Sequence, residues 1–300
     1  MSHIPVLLKQ VIEYLDPKPG DLVIDGTING GGHAKEILKK ISPGGTLQGI
    51  DWDENLVQGT RAELTSRESK VVLVCDNYAD FLEKFASRPA PSRADGLLLD
   101  LGFSTDQLES SGRGFSFSKD EPLIMTYSKK QKPVAEIIRE LSEKDLSDII
   151  FKLSGERFSR RIAKAIKATG KKERVISSQR LAEIIRYVVP KNYERGSGRT
   201  KSRIDPATRT FQALRIYAND ELGNLERALV KIPDVLKSHG RAVIISFHSL
   251  EDALIKDSFR KMEKDKLVKI LTKKPVAPDP EEISNNPKSR SAKLRALERI

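Results

Sequence analysis

Four short apolar runs in the first hundred residues constrain the fold more than any other feature of this chain. They are Asp21-Leu-Val-Ile-Asp25, Gly45-Thr-Leu-Gln-Gly-Ile-Asp51, Lys70-Val-Val-Leu-Val-Cys-Asp76 and Asp95-Gly-Leu-Leu-Leu-Asp100. Runs of this length without polar alternation read as strands buried on both faces, which parallel sheets covered by helices provide. Helical stretches separate them at His33 to Lys40, Asp53 to Ser66 and Tyr78 to Ser87. The expected class is therefore α/β, a Rossmann-like sheet. Each run closes on an aspartate, which gathers carboxylates at the C-terminal edge of the sheet, where open α/β folds bind ligands.

The pattern changes after Gly102. From Val134 to Val189 the apolar positions, among them Ile137, Ile138, Leu141, Leu146, Ile149, Ile150 and Leu153, recur at helical spacing. A polar basic stretch, 191–203, reads as a loop, and helical patterns resume at Thr210 to Asn219 and about Glu221 to Leu236. A last buried strand is expected at Arg241 to Phe247. The reading is a sheet interrupted by an all-helical insertion: residues 1–108 and 206–300 form the sheet domain and 109–205 a helical, basic domain. The net charge is +11, and residues 155–209 carry 16 Lys and Arg against 5 Asp and Glu, so the rest of the chain balances. A concentrated positive segment is the footprint of a polyanion binder, or of a solvated helical surface. One cysteine, Cys75, provides neither a disulfide framework nor a cysteine metal site. With no apolar run long enough to span a bilayer and no secretory signal pattern, a reducing cytoplasm is the expected setting.

The turn Asp25-Gly-Thr-Ile-Asn-Gly-Gly-Gly-His33 joins the first strand to its helix. Glycines permit a tight turn and close approach of a ligand, and the helix start offers N–H groups to an anionic or carboxylate group. Asp51, 26 residues after Asp25, stands where a carboxylate can take both hydroxyls of a ribose. These features fit either a dinucleotide or S-adenosylmethionine. The dinucleotide fingerprint Gly-x-Gly-x-x-Gly is not cleanly present, and an acidic residue before the turn suits a cofactor with a positive amino group.

A set of motifs then runs from end to end: His3-Ile-Pro-Val-Leu-Leu, Asp25-Gly-Thr with Gly30-Gly-Gly-His33, Gly49-Ile-Asp-Trp-Asp53, Asp100-Leu-Gly-Phe-Ser-Thr-Asp-Gln107 and Arg113-Gly-Phe-Ser-Phe117. It continues with Gly155-Glu-Arg-Phe-Ser-Arg-Arg-Ile-Ala163, Pro206-Ala-Thr-Arg-Thr-Phe-Gln-Ala-Leu-Arg-Ile216, Ile245-Ser-Phe-His-Ser-Leu-Glu-Asp252 and Asn286-Pro-Lys-Ser-Arg-Ser-Ala-Lys-Leu-Arg295. In these motifs the chain resembles the bacterial 16S ribosomal RNA cytosine-N4 methyltransferase family. The resemblance implies a methyltransferase sheet split by a helical insertion, with S-adenosylmethionine contacts at Gly31, Gly32, His33, Asp51, Tyr78, Asp100 and Gln107. It implies as substrate a cytosine amine of 16S rRNA within the small ribosomal subunit, near the decoding centre. Four histidines and one cysteine offer no metal constellation, no membrane span is expected, and the expected assembly is a monomer or homodimer. Several positions depart from the usual pattern: Ile124 and Thr126 stand where aspartate and arginine are common, Asn29 replaces a frequent glycine, and Asp205 a frequent histidine.

An exocyclic cytosine amine is a weak nucleophile, so methyl transfer needs alignment and an acceptor for the amine proton. Asp100 is the candidate acceptor, with a purely cofactor-orienting role as the competing reading. Phe103, three residues on, has the spacing of an aromatic that stacks on the target base. Arg113, Arg160, Arg161, Arg199 and Arg203 are candidate phosphate contacts. His248 and Glu251 are read as structural or substrate-side rather than as an acid–base pair. The competing functions are a nicotinamide-dependent oxidoreductase, a catalytically silent RNA-binding factor, and a DNA amino-methyltransferase, whose Pro-Pro-aromatic motif is replaced here by Leu-Gly-Phe.

Overall fold

The computed structural model describes residues 5–89, 93–102, 107–108, 111–171, 174–175, 177–190 and 205–300. They divide into two compact units, one of residues 1–104 with 222–300 and the other of residues 105–221.

The first unit is built on a seven-stranded sheet. Its strands are β1 (Leu22–Asp25), β2 (Thr46–Asp51), β3 (Lys70–Cys75), β4 (Ala94–Asp100), β5 (Leu236–Ser246), β6 (Val268–Ile270) and β7 (Lys293–Arg299), in the spatial order β3-β2-β1-β4-β5-β7-β6. The Rossmann-like expectation is met: β1 to β5 run parallel, with helices Gly32–Ile41, Glu54–Glu63 and Tyr78–Ala86 after the first three strands. Two features were not anticipated. β7 enters antiparallel beside β5 and carries β6 on its other edge. β3 is not buried on both faces but half-exposed along its length, because it forms the edge of the sheet.

The double burial of the central strands follows from alternation. Ile24, Ile50, Leu97, Leu99 and Ile244 face one core, closed by Phe81, Phe85, Leu229, Ile232 and Phe259. Val23, Leu47, Leu98, Val243 and Ile245 face the other, with Val11, Ile37 and Ile41. Successive side chains point to opposite faces, so a strand covered on both sides must be apolar throughout.

The second unit is helical. Val134–Glu140, Glu143–Ser154, Ser159–Gly170, Ser178–Val188 and Ala207–Asn219 pack around Leu146, Ile150, Ile162, Ile166, Leu181, Ile185 and Phe211. Ser142 caps the second of these helices, which Gly155 ends in the left-handed region (φ 65°). The helix Ala207–Asn219, expected with the sheet, belongs here instead: Phe211 and Leu214 are part of the helical core. The basic loop 191–203 lies outside the described residues.

Asn219 ties this unit together. It is fully buried; its Nδ2 donates to the carbonyls of Met125 and Arg215, each at 2.9 Å, and its Oδ1 accepts from Tyr127 N at 2.9 Å. Met125 holds a left-handed backbone (φ 53°) that a side chain disfavours, so the clamp offsets local strain. Asn219→Ala is expected to cost about 2–3 kcal/mol, since a buried carbonyl and N–H lose these bonds together. Denaturant titration of the variant checks this, and a loss under ~0.5 kcal/mol would count against it.

The departures at 124, 126 and 205 are absorbed locally. Ile124 lines a cavity of about 570 Å³ with Leu123, Ile138, Ile166 and Val175, and Thr126 is buried. Asp205 accepts from Ala207 N at 2.8 Å and holds Arg186 through Nε and Nη2, at 3.0 and 2.8 Å.

Candidate functional site

The C-terminal edges of β1, β2 and β4 bring together three buried carboxylates, Asp25, Asp51 and Asp100. The turn after β1 is shaped to stand beside them. Asn29 takes a left-handed conformation (φ 47°), which asparagine tolerates better than most residues, so the frequent glycine is dispensable there. Gly31 is also left-handed (φ 74°), and a Cβ on it would sit 2.8 Å from Thr60 Cγ2. It caps the helix Gly32–Ile41, whose first turn therefore presents its N–H groups at the sheet edge.

Asp51 is fixed from both sides: Oδ2 accepts from Asn29 N at 3.0 Å and Oδ1 from Asp53 N at 2.9 Å. Burial nevertheless raises its pKa to about 6. Asp25 accepts from Thr27 N at 3.2 Å, and burial, with the Asp51 charge adding to it, pushes it up to about 7. Asp100 is raised well above its ordinary value too, first by burial and then by the negative charges of Asp25 and Glu251. Its backbone N donates to Thr27 Oγ1 at 2.6 Å, but its side-chain Oδ1 is buried without a hydrogen-bond partner. Three neighbouring acids raised in this way resist ionisation until a positive charge joins them, which suits the pocket to a ligand carrying positive charge and hydroxyl groups.

His33 completes the wall. Its Nε2 donates to the Val6 carbonyl at 2.8 Å, which turns Nδ1 toward Asp100 Oδ2 at 3.6 Å. Tyr78 opens the helix capped by Asn77, half-buried against the core and beside Gly26 in the turn after β1. Gly31, Gly32, His33, Asp51, Tyr78 and Asp100 thus lie in one unit, at or just beyond the C-terminal ends of β1 to β4. Gln107 belongs to the helical unit, where it is buried and its carbonyl accepts from Ser111 Oγ at 2.6 Å. Phe103, Arg199 and Arg203 lie outside the described residues.

Residues 1–300 match the MraW methylase family. The chain belongs to it. A ribosomal RNA small subunit methyltransferase H from Syntrophus aciditrophicus (strain SB) is 41% identical over 314 residues, covering 99% of this chain and 98% of that protein. The proteins of the same name from Syntrophobacter fumaroxidans and Rickettsia akari are each 39% identical, covering 100% of this chain and 97% and 99% of their own lengths.

Within this MraW family member the candidate RNA contacts differ in what they do. Arg113 donates through Nη1 to the carbonyls of Thr126 and Tyr127, at 3.2 and 3.0 Å, and so clasps its own loop. Arg160 and Arg161 are exposed on the helix Ser159–Gly170, beside exposed Arg157 and Lys164, and that helix contains no acidic residue. Thr27 was missed by sequence reasoning, because a threonine in a glycine-rich turn carries no signal of its own; its contact with Asp100 N makes it part of the site. His248 and Glu251 form a capping box on the helix Ser249–Lys264: Glu251 N donates to His248 Nδ1 at 3.4 Å, and Glu251 Oε2 accepts from His248 N at 3.3 Å.

Proposed function

We propose that this protein transfers a methyl group from S-adenosylmethionine to the N4 amine of a cytosine in 16S rRNA of the small ribosomal subunit, near its decoding centre. The observation that carries the reading is the set of buried carboxylates at the ends of β1, β2 and β4, with Asp100 Oδ1 left for a ligand. Membership of a methylase family and full-length relatives named as small-subunit rRNA methyltransferases support it.

The residues present fit the cofactor. Asp51 offers lone pairs to ribose hydroxyls, Asp25 and Asp100 offer negative charge to a cationic ligand, and the first turn of Gly32–Ile41 offers N–H groups to a carboxylate. When bound, S-adenosylmethionine supplies an electrophilic methyl carbon. Asp100 is the residue that receives the amine: as N4 gains the methyl group it must lose one proton, and a carboxylate accepting that N–H draws the lone pair out of the ring and stabilises the developing charge. Burial excludes water, so this single hydrogen bond acts at low dielectric. The exposed basic face of Ser159–Gly170 is the candidate phosphate-binding surface.

The direct test incubates the protein with radiolabelled S-adenosylmethionine and small subunits from a strain lacking the modification, then identifies the labelled nucleoside. Label in N4-methylcytidine is expected. Absence of label with cofactor binding intact would favour a silent RNA-binding factor, and label in another nucleoside would reassign the acceptor.

Two further outcomes follow from the charges. Asp25 and Asp51 rise to about 7 and about 6, so the stability they contribute to the ligand-free protein is full below about pH 4 and is lost as pH rises through those values. A cationic ligand needs their ionised forms, so its affinity has the opposite trend. Calorimetry from pH 8 to pH 5 should show the cofactor binding more weakly, by up to about tenfold per pH unit for each carboxyl that must shed a proton. A flat profile would remove both acids from the cofactor site. Separately, Arg160→Glu with Arg161→Glu should weaken subunit binding and lower the slope of log affinity against log salt by about 1 for each phosphate no longer neutralised, with cofactor binding unchanged. An unchanged slope would place the RNA elsewhere.

A further inference from the structure

Two buried polar atoms in the sheet unit have no hydrogen-bond partner among the described residues, and they stand at the ends of adjacent strands. One is Asp100 Oδ1, at the end of β4. The other is His248 Nε2, two residues beyond β5. β4 and β5 pair in parallel with Asp100 opposite Ile245. Glu251 links the two: its carboxylate is near enough to act on the Asp100 charge, and its Oε1 lies 3.2 Å from His248 Nε2, out of line for a hydrogen bond. Both side chains are about nine-tenths buried or more.

The tautomer of His248 follows from its cap. Nδ1 accepts the Glu251 N–H, so the neutral ring carries its proton on Nε2 and presents a donor. A buried donor left unpaired is costly, and such groups are rare without a role. The site therefore offers one acceptor, Asp100 Oδ1, and one donor, His248 Nε2–H. The edge of cytosine offers the reverse pair side by side, an N4 amine that donates and a ring N3 that accepts. Uracil exchanges the two, presenting O4 as acceptor and N3–H as donor, and would meet both groups in conflict.

We propose that His248 is the base-reading residue of this enzyme, donating from Nε2 to N3 of the target cytosine while Asp100 accepts from its amine. This rests on the reading of the N4 amine as methyl acceptor, and adds to it the residue that selects the base. His248 orients the amine, and Asp100 takes the proton. A site that hydrogen-bonds a substrate group rejects the analogue lacking it, because its own buried donor is then left unmet.

The test pairs two variants with one altered substrate. His248→Asn keeps an oxygen able to cap Ser249–Lys264 and removes the distal donor, whereas His248→Gln gives up the cap and returns an amide N–H near the position of Nε2. Small subunits are reconstituted with cytidine or with 3-deazacytidine, which lacks the N3 acceptor, at the methylated position, and kcat/KM is measured with labelled S-adenosylmethionine. The native enzyme should lose at least about tenfold on 3-deazacytidine. His248→Asn should lose a similar factor on cytidine and nothing more on 3-deazacytidine, with cofactor affinity unchanged, and His248→Gln should recover part of the loss on cytidine. Equal rates of the native enzyme on both substrates would overturn the proposal whatever the variants do. Losses from His248→Asn and 3-deazacytidine that multiply would overturn it too, by showing that the two groups do not meet. Native enzyme that labels no cytidine amine would fail the underlying reading instead, a result distinct from either.

Discussion

Asp100→Asn should bind S-adenosylmethionine within a few-fold of the native protein and lose turnover by about 100-fold or more, the usual cost of removing one preorganised group at a developing charge. The substitution preserves shape. The backbone N that donates to Thr27 Oγ1 is untouched, and one amide oxygen remains where a carboxylate oxygen stood. What disappears is a group that can carry the amine proton away. Burial and the charges of Asp25 and Glu251 raise the native acid above its ordinary range, so positive charge brought by the bound cofactor is needed to ionise it before it can accept the amine proton. Single-turnover rates with labelled cofactor, beside calorimetric affinity, separate the two effects. Normal turnover would reduce Asp100 to orienting the cofactor, and a loss confined to affinity would do the same.

Asp51→Ala is expected to weaken cofactor binding by about 100-fold, with little change in the rate at saturation. Both Asp51 oxygens accept backbone N–H groups from flanking turns, Asn29 on one side and Asp53 on the other. On the proposed reading, removing them deprives the ribose hydroxyls of their acceptor, and it also unties the turn that holds Asn29 and Gly31 in left-handed conformations. Asp51→Asn retains one acceptor oxygen and separates the two contributions: it should keep more of the turn and still bind weakly. Equilibrium binding with S-adenosylhomocysteine as probe gives both values, and affinity of Asp51→Ala within threefold of native would take the residue out of the cofactor site.

Much of this architecture is legible in the chain because burial on two faces leaves a simple trace. β1, β2 and β4 are buried along most of their length and largely apolar, and the helices between them show where the other face of each is covered. What escaped the sequence did so for identifiable reasons. β7 reads Lys-Leu-Arg-Ala-Leu-Glu-Arg, too charged to suggest an interior strand, yet Arg295 is buried because Asp252 accepts from its Nε at 2.7 Å. A pairing formed across 43 residues has no local signature. The helix Ser249–Lys264 starts on a histidine cap, which the usual serine, threonine or aspartate signal does not cover. Likewise the apolar run of β3 resembled its neighbours, but its place at the sheet edge leaves it half-exposed. For the site, the acids could be found because each closes a strand; Thr27 and the spare nitrogen of His248 depend on which strands lie side by side, and that order is not written in any one segment.

The separation of β4 from β5 also bears on how the molecule is made. These strands lie side by side, yet Asp100 and Leu236 are 136 positions apart in the chain, with the whole helical unit synthesised between them. At bacterial elongation rates the edge of β4 stands uncovered on the emerging polypeptide for on the order of ten seconds before its neighbour is made. The helical unit, built from contacts close in sequence, has its own core and can form within that interval. The sheet is left to close late, when Ala242 to Ile245 slot in between β4 and a β7 that is translated after them. Nascent chains stalled before residue 236 should therefore be the species that chaperones hold.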